Sequence, residues 1–162
     1  MPYLLDSNIF IQAKNLHYGF DFCPAFWDWL DAGNQSGSVF SIEKVRDELI
    51  GGGDELADWA KARGGEFFIA PDGADLASLA AASNWAAGGG FDPGAVNQFL
   101  QVADYYLVAQ AHARSFVVVT HEVAANSVKK IKIPNVCVGL GVKVMSPYEM
   151  LRTERARFVI GA

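Results

Sequence analysis

Cysteine is scarce in this sequence. Cys23 and Cys137 are the two thiols in 162 residues, and neither has Cys-x-x-Cys or Cys/His spacing. A disulfide framework or a tetrahedral zinc site requires more thiol or imidazole ligands at characteristic intervals. We therefore expect neither.

Positive charge is also in short supply. The chain has 13 Lys and Arg against 18 Asp and Glu, for a net charge of -5. A protein that coats nucleic acid presents a broad basic surface, and this balance argues against one. A nuclease is not excluded, because a metal site needs clustered carboxylates and these make the net charge more negative.

Three other signals are missing. No uninterrupted apolar segment approaches the length of a membrane span. The first residues lack a basic region and carry Asp6 inside their apolar stretch, which is unlike a signal peptide. The triple-glycine runs at 51–53 and 88–90 fit neither a P-loop nor GxGxxG, so a nucleotide-phosphate loop is not expected. We expect a soluble, cytoplasmic protein without a membrane partner.

Apolar residues are abundant. They make up 51% of the chain, with 11 Phe and 4 Trp, which is enough for a single globular domain over residues 1–162. The patterns predict strands at 3–5, 38–41, 66–70, 116–119 and 142–145, and helices at 9–16, 22–30, 42–50, 54–63, 72–87, 94–114, 134–140 and 147–152. Ser41 is expected to cap the third of these helices. Alternating strands and helices predict an α/β fold, a three-layer α/β/α arrangement with a central parallel sheet.

Carboxylates follow two of the predicted strands. Asp6 comes directly after Leu5, and Glu122 follows the strand 116–119 after Thr120 and His121. Open parallel sheets bind ligands at the carboxyl ends of their strands. If these two strands are neighbours, both acids lie on one edge. The alternative, that Asp6 only caps the next helix, stays open at this point.

Two further acids lie at the margins of helical faces. At about 100° per residue, Glu48 borders the apolar face of helix 42–50, whereas Asp47 points away from it. Asp104 lies about 100° from the centre of the inward face of helix 94–114. Both Glu48 and Asp104 can therefore reach a site at the edge of the core.

Four acids at one edge predict a metal site. Carboxylates packed together repel one another unless protons or cations neutralise them. Sites made only of oxygen ligands suit Mg²⁺ or Mn²⁺ better than zinc. With no arrangement for a nucleophilic serine, metal-assisted hydrolysis of a phosphodiester is the expected chemistry.

These residues carry a resemblance to a known family. The chain resembles PIN domains and is similar to VapC-type toxin ribonucleases of bacterial toxin–antitoxin pairs. The matching stretches are YLLDSNIFI at the start, VRDEL around Glu48, ADYYLVAQAHA around Asp104, VVVTHE ending at Glu122, and IPNVCVGLGVKVMSPYEML near the end.

The resemblance implies a Mg²⁺- or Mn²⁺-dependent ribonuclease with an RNA substrate and an antitoxin partner. By position, the residues that would hold metal are Asp6, Glu48, Asp104 and Glu122. Asn8 and Thr120 match the small polar residues that orient the acids or the attacking water. Many family members have Asp where this chain has Glu122, which is longer by one methylene and puts a two-ion site in question.

Two other functions are weighed against the nuclease. A receiver-like regulatory domain would need paired acids near its first strand and an Asp ending a mid-chain strand, and Asp6 stands alone. A PIN-like module that binds a protein or RNA without cleaving it is the stronger alternative.

Several residues outside the four acids have open roles. Lys129, Lys130 and Lys132 contact RNA phosphates or lie on a solvated loop. His17 and His112 have no partner identifiable from sequence, and His121 is expected on the opposite side from Glu122. The segment 152–160, with three Arg before Phe158, suggests a partner or homodimer contact.

Overall fold

Five short parallel strands form the central sheet. The computed structural model describes residues 1–161. Its strands are β1 (Tyr3–Leu5), β2 (Val39–Ile42), β3 (Phe68–Ile69), β4 (Val117–Val119) and β5 (Val144–Met145). They are hydrogen-bonded in the order β3-β2-β1-β4-β5, with every pair parallel. All residues of β1 and β4 are buried, as continuous apolar runs predict for central strands.

Nine α-helices surround this sheet within the described residues. They are α1 (Ser7–Gln12), α2 (Pro24–Gln35), α3 (Glu43–Gly51), α4 (Glu55–Lys61), α5 (Leu76–Gly88), α6 (Pro93–Gln101), α7 (Ala103–Arg114), α8 (Ile133–Leu140) and α9 (Pro147–Thr153). Helix α7 packs against β2 and β4, and α2 packs against β2. The predicted α/β class, a three-layer α/β/α fold around a parallel sheet, is confirmed. Within residues 1–161, no helix combines the length and apolar character that a membrane crossing requires.

The strand order changes direction at β1. The chain moves from β1 to β2 and β3 on one side, then returns to place β4 and β5 on the other. Ligands of open α/β sheets bind at the carboxyl ends of strands beside such a switch point. Leu5 pairs with Val119, and the backbone N–H of Asp6 donates to the Val119 carbonyl at 2.9 Å. Asp6 and Thr120 therefore emerge side by side at this edge.

The predicted helix 94–114 is two helices. Val102 has φ -111° and ψ 167°, an extended backbone that ends α6 and begins α7. No Pro or Gly marks this position, and the apolar pattern continues across it, so the break was not predicted. Its consequence is that Asp104 lies in the first turn of α7, where the positive end of the helix dipole favours a carboxylate.

Ser41 is not the helix cap that its residue type suggested. It lies within β2 and is fully buried, and its hydroxyl donates to the Leu5 carbonyl at 2.6 Å. Helix α3 begins one residue later than predicted, because Ile42 belongs to the strand and caps the helix without a side-chain bond. The hydroxyl thus connects β2 to the end of β1, directly before Asp6.

Several predicted elements have different lengths. The predicted strand at 66–70 is reduced to β3, and the strand at 142–145 to β5. The helix predicted at 72–87 begins with a 3-10 turn, Gly73–Asp75, before α5. Asp72 and Asp75 form a capping box there, which explains why the chain does not enter α5 directly.

The Ser41 hydrogen bond gives a prediction for stability. Ser41→Ala removes a buried donor and leaves the Leu5 carbonyl without it, so the free energy of unfolding should fall by about 1–2 kcal/mol. Urea unfolding curves measure the change. Ser36→Ala, which removes an exposed hydroxyl bonded to Gly33, is the control and should stay within about 0.5 kcal/mol of the parent. A Ser41→Ala protein as stable as the control would contradict the assignment.

Candidate functional site

Asp6 is the buried centre of the candidate site. Its side chain is 3% exposed, at the junction of β1 and α1. One carboxylate oxygen accepts a hydrogen bond from the Ser7 backbone N–H at 2.7 Å, and the other accepts from the Thr120 hydroxyl at 2.8 Å. Asp6 thus caps α1, as one interpretation of the sequence held, and also faces the end of β4.

Thr120 and Asn8 hold this carboxylate in place. The Thr120 oxygen accepts hydrogen bonds from the Asn8 amide at 3.3 Å and from the Glu122 backbone N–H at 3.1 Å. The Asn8 carbonyl oxygen accepts from the His121 backbone N–H at 3.2 Å. Asn8 and Thr120 therefore link β1 to β4 and orient Asp6.

Asp104 and Glu48 meet across a cleft of about 180 Å³. Asp104 is half-buried at the start of α7, and Glu48 is exposed on α3. Gln98 and Lys130 also line this cleft. Asp47 is exposed and is not among the residues that line it. The helical angle therefore places Glu48, and not its neighbour, beside Asp104.

Glu122 adds a third acid near Asp6 and Asp104. It is half-buried after the end of β4, and the Lys132 ammonium lies 4.0 Å from its Oε1 atom. That oxygen is buried and has no hydrogen-bond partner among residues 1–161. A buried carboxylate oxygen without a donor is costly, and a cation or water would relieve that cost.

The acids perturb one another electrostatically. Burial raises the pKa of Asp6 to about 7, and the charges of Asp104 and Glu122 add to the rise against the opposing Thr120 and Ser7 hydrogen bonds. Burial also raises the pKa of Asp104 to about 6, helped by Glu122 and Glu48 and opposed by Lys130. Mutual repulsion of this kind favours protons or cations at the site.

Direct chelation by three side chains is not seen. Across residues 1–161, no three Asp, Glu, His or Cys side chains are close enough to hold one ion together. Magnesium commonly keeps several waters and uses only one or two carboxylates. A cation at this edge would therefore have at most two of these side chains as direct ligands.

Sequence reasoning missed one neighbour of these acids and one histidine contact elsewhere in the fold. Cys137 is buried close enough that Asp6 and Glu122 add to the effect of burial, which raises the pKa of its thiol to about 12. His112 does have a partner, since its Nδ1 lies 2.7 Å from the Ser78 hydroxyl. No sequence spacing signals these contacts, because they join distant elements.

The fold and the site together define an α/β/α domain with an acidic cluster at the switch point of its sheet. The sequence model of the family described as a domain of unknown function (DUF4411) matches residues 3–158, and the chain belongs to this family. None of the curated proteins matches the chain. The matched region contains all the acids described above.

The raised pKa values predict a pH-dependent stability without metal. The folded protein keeps a proton on Asp6 up to about pH 7, whereas the unfolded chain releases it near its ordinary pKa of 3.8. The folded state thus binds more protons between these values, so the free energy of unfolding should fall as pH rises from about 4 to 7.

Urea unfolding in EDTA across this range measures the slope. Asp6→Asn should make it shallower, whereas Asp28→Asn, at an exposed carboxylate on α2, should leave it unchanged. Equal slopes in the parent and in Asp6→Asn would show that Asp6 does not retain its proton.

Proposed function

We propose that this protein is a Mg²⁺- or Mn²⁺-dependent endoribonuclease of PIN-like type. The observation that carries the proposal is the convergence of Asp6, Asp104 and Glu122 at the switch point, where burial and mutual repulsion raise the pKa of the first two. The motif resemblance to PIN domains supports the same function.

The residues present fit a divalent cation. Asp6, Asp104 and Glu122 would hold it, in part through water, with Glu48 at the exposed rim. Such an ion, when bound, neutralises the scissile phosphate and makes water a better nucleophile. The buried Glu122 Oε1 atom accepts no hydrogen bond, with Lys132 4.0 Å away, and would supply a ligand atom.

The surrounding side chains have separate roles in this proposal. Thr120 and Asn8 keep the Asp6 carboxylate in one orientation through their hydrogen bonds. Lys130 lines the cleft with Asp104 and offers an ammonium group to an RNA phosphate. Lys132 has a different position, because its ammonium group lies near Glu122.

The resemblance to VapC-type toxins also suggests a partner protein, a location and a dimer contact. VapC-type proteins are toxins of toxin–antitoxin pairs, so we propose an antitoxin protein as partner, a cytoplasmic location and a homodimer contact through the segment 152–160. In that segment, Phe158 packs edge-on against Tyr18 and Phe26, whereas Val159 and Ile160 are exposed.

A binding module without cleavage is the alternative function. The observation that favours it is that, among the described residues, no three side chains meet closely enough to hold one ion. Such a module would use the same edge to engage RNA or a protein. Metal-dependent cleavage of a mixed RNA pool discriminates between the two functions.

The first test removes one central acid. Asp104→Asn keeps the shape of the side chain and deletes its charge, so Mn²⁺-dependent cleavage of a mixed RNA pool should fall by about 100-fold or more if the ion is essential. Millimolar Mn²⁺ should raise the melting temperature of the parent more than that of the variant. A folded Asp104→Asn protein with full activity would refute the metal-nuclease proposal.

A second prediction separates two adjacent carboxylates. Glu48→Gln should strongly reduce metal-dependent cleavage, because Glu48 lines the cleft with Asp104. Asp47→Asn is the matched control and should cleave RNA as the parent does, with stability within about 0.5 kcal/mol. Cleavage rate against Mn²⁺ concentration, with unfolding curves for both variants, makes the comparison. An inactive Asp47→Asn beside an active Glu48→Gln would move the site to the other face of α3.

A further inference from the structure

Three rings from distant parts of the chain form a surface cluster beside the acids. We call His17, His121 and Tyr148 the ring cluster. The centroids of the two imidazole rings are 5.7 Å apart. The centroid of the Tyr148 ring lies 5.9 Å from that of His17 and 5.8 Å from that of His121. The Tyr148 hydroxyl lies 3.2 Å from His17 Nε2, which ties α9 to the end of the first helical segment.

The backbone presents His17 through an irregular helix. After α1, residues Ala13–His17 form a π-helical turn, closed by the Tyr18 N–H donating to the Ala13 carbonyl at 2.8 Å. Single π turns within helices occur frequently at functional sites. Here the turn ends on His17, which is exposed beside Tyr148.

The ring cluster is exposed and adjoins a stacked aromatic pair. Tyr148 is 37% exposed, and His17 is also exposed, while His121 is half-buried beside them. Tyr18, next to His17, stacks on Phe26 with centroids 4.4 Å apart and planes at 12°. His17 and Tyr148 meet edge to face at 86°, so each exposed ring offers its own face for another flat group to stack on.

The cluster is joined directly to the acidic site. His121 precedes Glu122 in the chain, and its backbone N–H is held by Asn8, which also bonds Thr120 beside Asp6. A cleft of about 220 Å³ runs from His121 and Glu122 to Ser146 at the start of α9. A flat group on the rings would therefore contact the residue that precedes Glu122.

Charge nearby fits a nucleotide. Arg152, one helical turn after Tyr148 on α9, is exposed. It is close enough to the Tyr18 hydroxyl that its charge opposes the rise that burial causes in the pKa of Tyr18. The nearby carboxylate of Glu149 is engaged in the capping box of α9 with Ser146. Rings interleaved with a basic side chain are the pattern by which proteins bind single-stranded nucleic acid.

We propose that the ring cluster is a stacking subsite for an unpaired base of RNA, one nucleotide from the phosphate that the acids engage. The inference rests on the proposed ribonuclease function and adds to it a contact with the base next to the engaged phosphate. Bases in a duplex are stacked on one another and cannot reach the rings, whereas unpaired bases stack on Tyr and His side chains.

Fluorescence anisotropy with a labelled short single-stranded RNA of mixed sequence tests the subsite. The background is Asp104→Asn in EDTA, so that cleavage cannot consume the probe. A second probe of the same length lacks all bases and keeps the ribose-phosphate chain. The buffer is at about pH 8, above the ordinary titration range of histidine. A loss of RNA affinity in an alanine variant then reports lost stacking and not the loss of a positive charge.

In that background, His17→Ala and Tyr148→Ala should each weaken binding of the RNA by about 10-fold. Neither should change binding of the abasic strand. Tyr148→Phe keeps the ring and should bind as the background does. His112→Ala, at an exposed histidine near Met1 and Phe116 on the opposite edge of the sheet, is the matched control and should also bind normally. Unfolding curves verify that each variant is folded.

Four results would overturn the inference: unchanged RNA affinity in both alanine variants, equal losses for the RNA and the abasic strand, an equal loss in Tyr148→Phe, or no RNA binding by the background. Cleavage of RNA by the parent in Mn²⁺ is scored separately. If the alanine variants lose affinity for the RNA but not for the abasic strand, and the parent cleaves no RNA, the subsite is supported and the nuclease proposal is refuted. Cleavage with normal binding by the variants would refute the subsite alone.

Discussion

The buried carboxylate of Asp6 is the constraint on which the site depends. A charge that is 3% exposed is expensive, and the protein offsets that cost with hydrogen bonds from Ser7 and Thr120. Those bonds are not sufficient to cancel burial and the charges of Asp104 and Glu122, because the pKa of Asp6 still rises to about 7. Protonation meets part of the remaining cost, since a carboxyl group with a pKa of about 7 keeps its proton over most of the acidic range.

The parallel pairing of β1 and β4 brings these distant residues together. Leu5 and Val119 are paired, so the residues that follow them leave the sheet at the same edge. The same register explains why Thr120 reaches Asp6 across 114 positions of sequence. Ser41 strengthens the arrangement from the other side of β1 through its bond to Leu5. The positions of Asp6 and Glu122 thus follow from strand order and register, whereas Asp104 and Glu48 are supplied by α7 and α3.

The sequence predicted this arrangement where local patterns carry the information. Continuous apolar runs identified β1 and β4, and the helical angle located Glu48 and Asp104, because those signals depend on neighbouring residues only. The break at Val102 was missed because no Pro, Gly or capping side chain marks it. The helical angle still placed Asp104 correctly at the margin of the buried face, because Leu107 and Gln110 of that face lie in the same helix, α7. The contacts of His17 depend on tertiary packing, which no spacing reveals.

Burial decreases stepwise from the sheet to the solvent across the acids. Asp6 is buried, Asp104 is half-buried, and Glu48 is exposed on α3. A charge in water is screened far more than a buried one, so Asp6 and Asp104 bear most of the repulsion, while Glu48 contributes from the rim. The exposed end of this series shares its cleft with Lys130. Lys130 opposes the rise in the pKa of Asp104, so this exposed cation offsets part of the repulsion that burial strengthens.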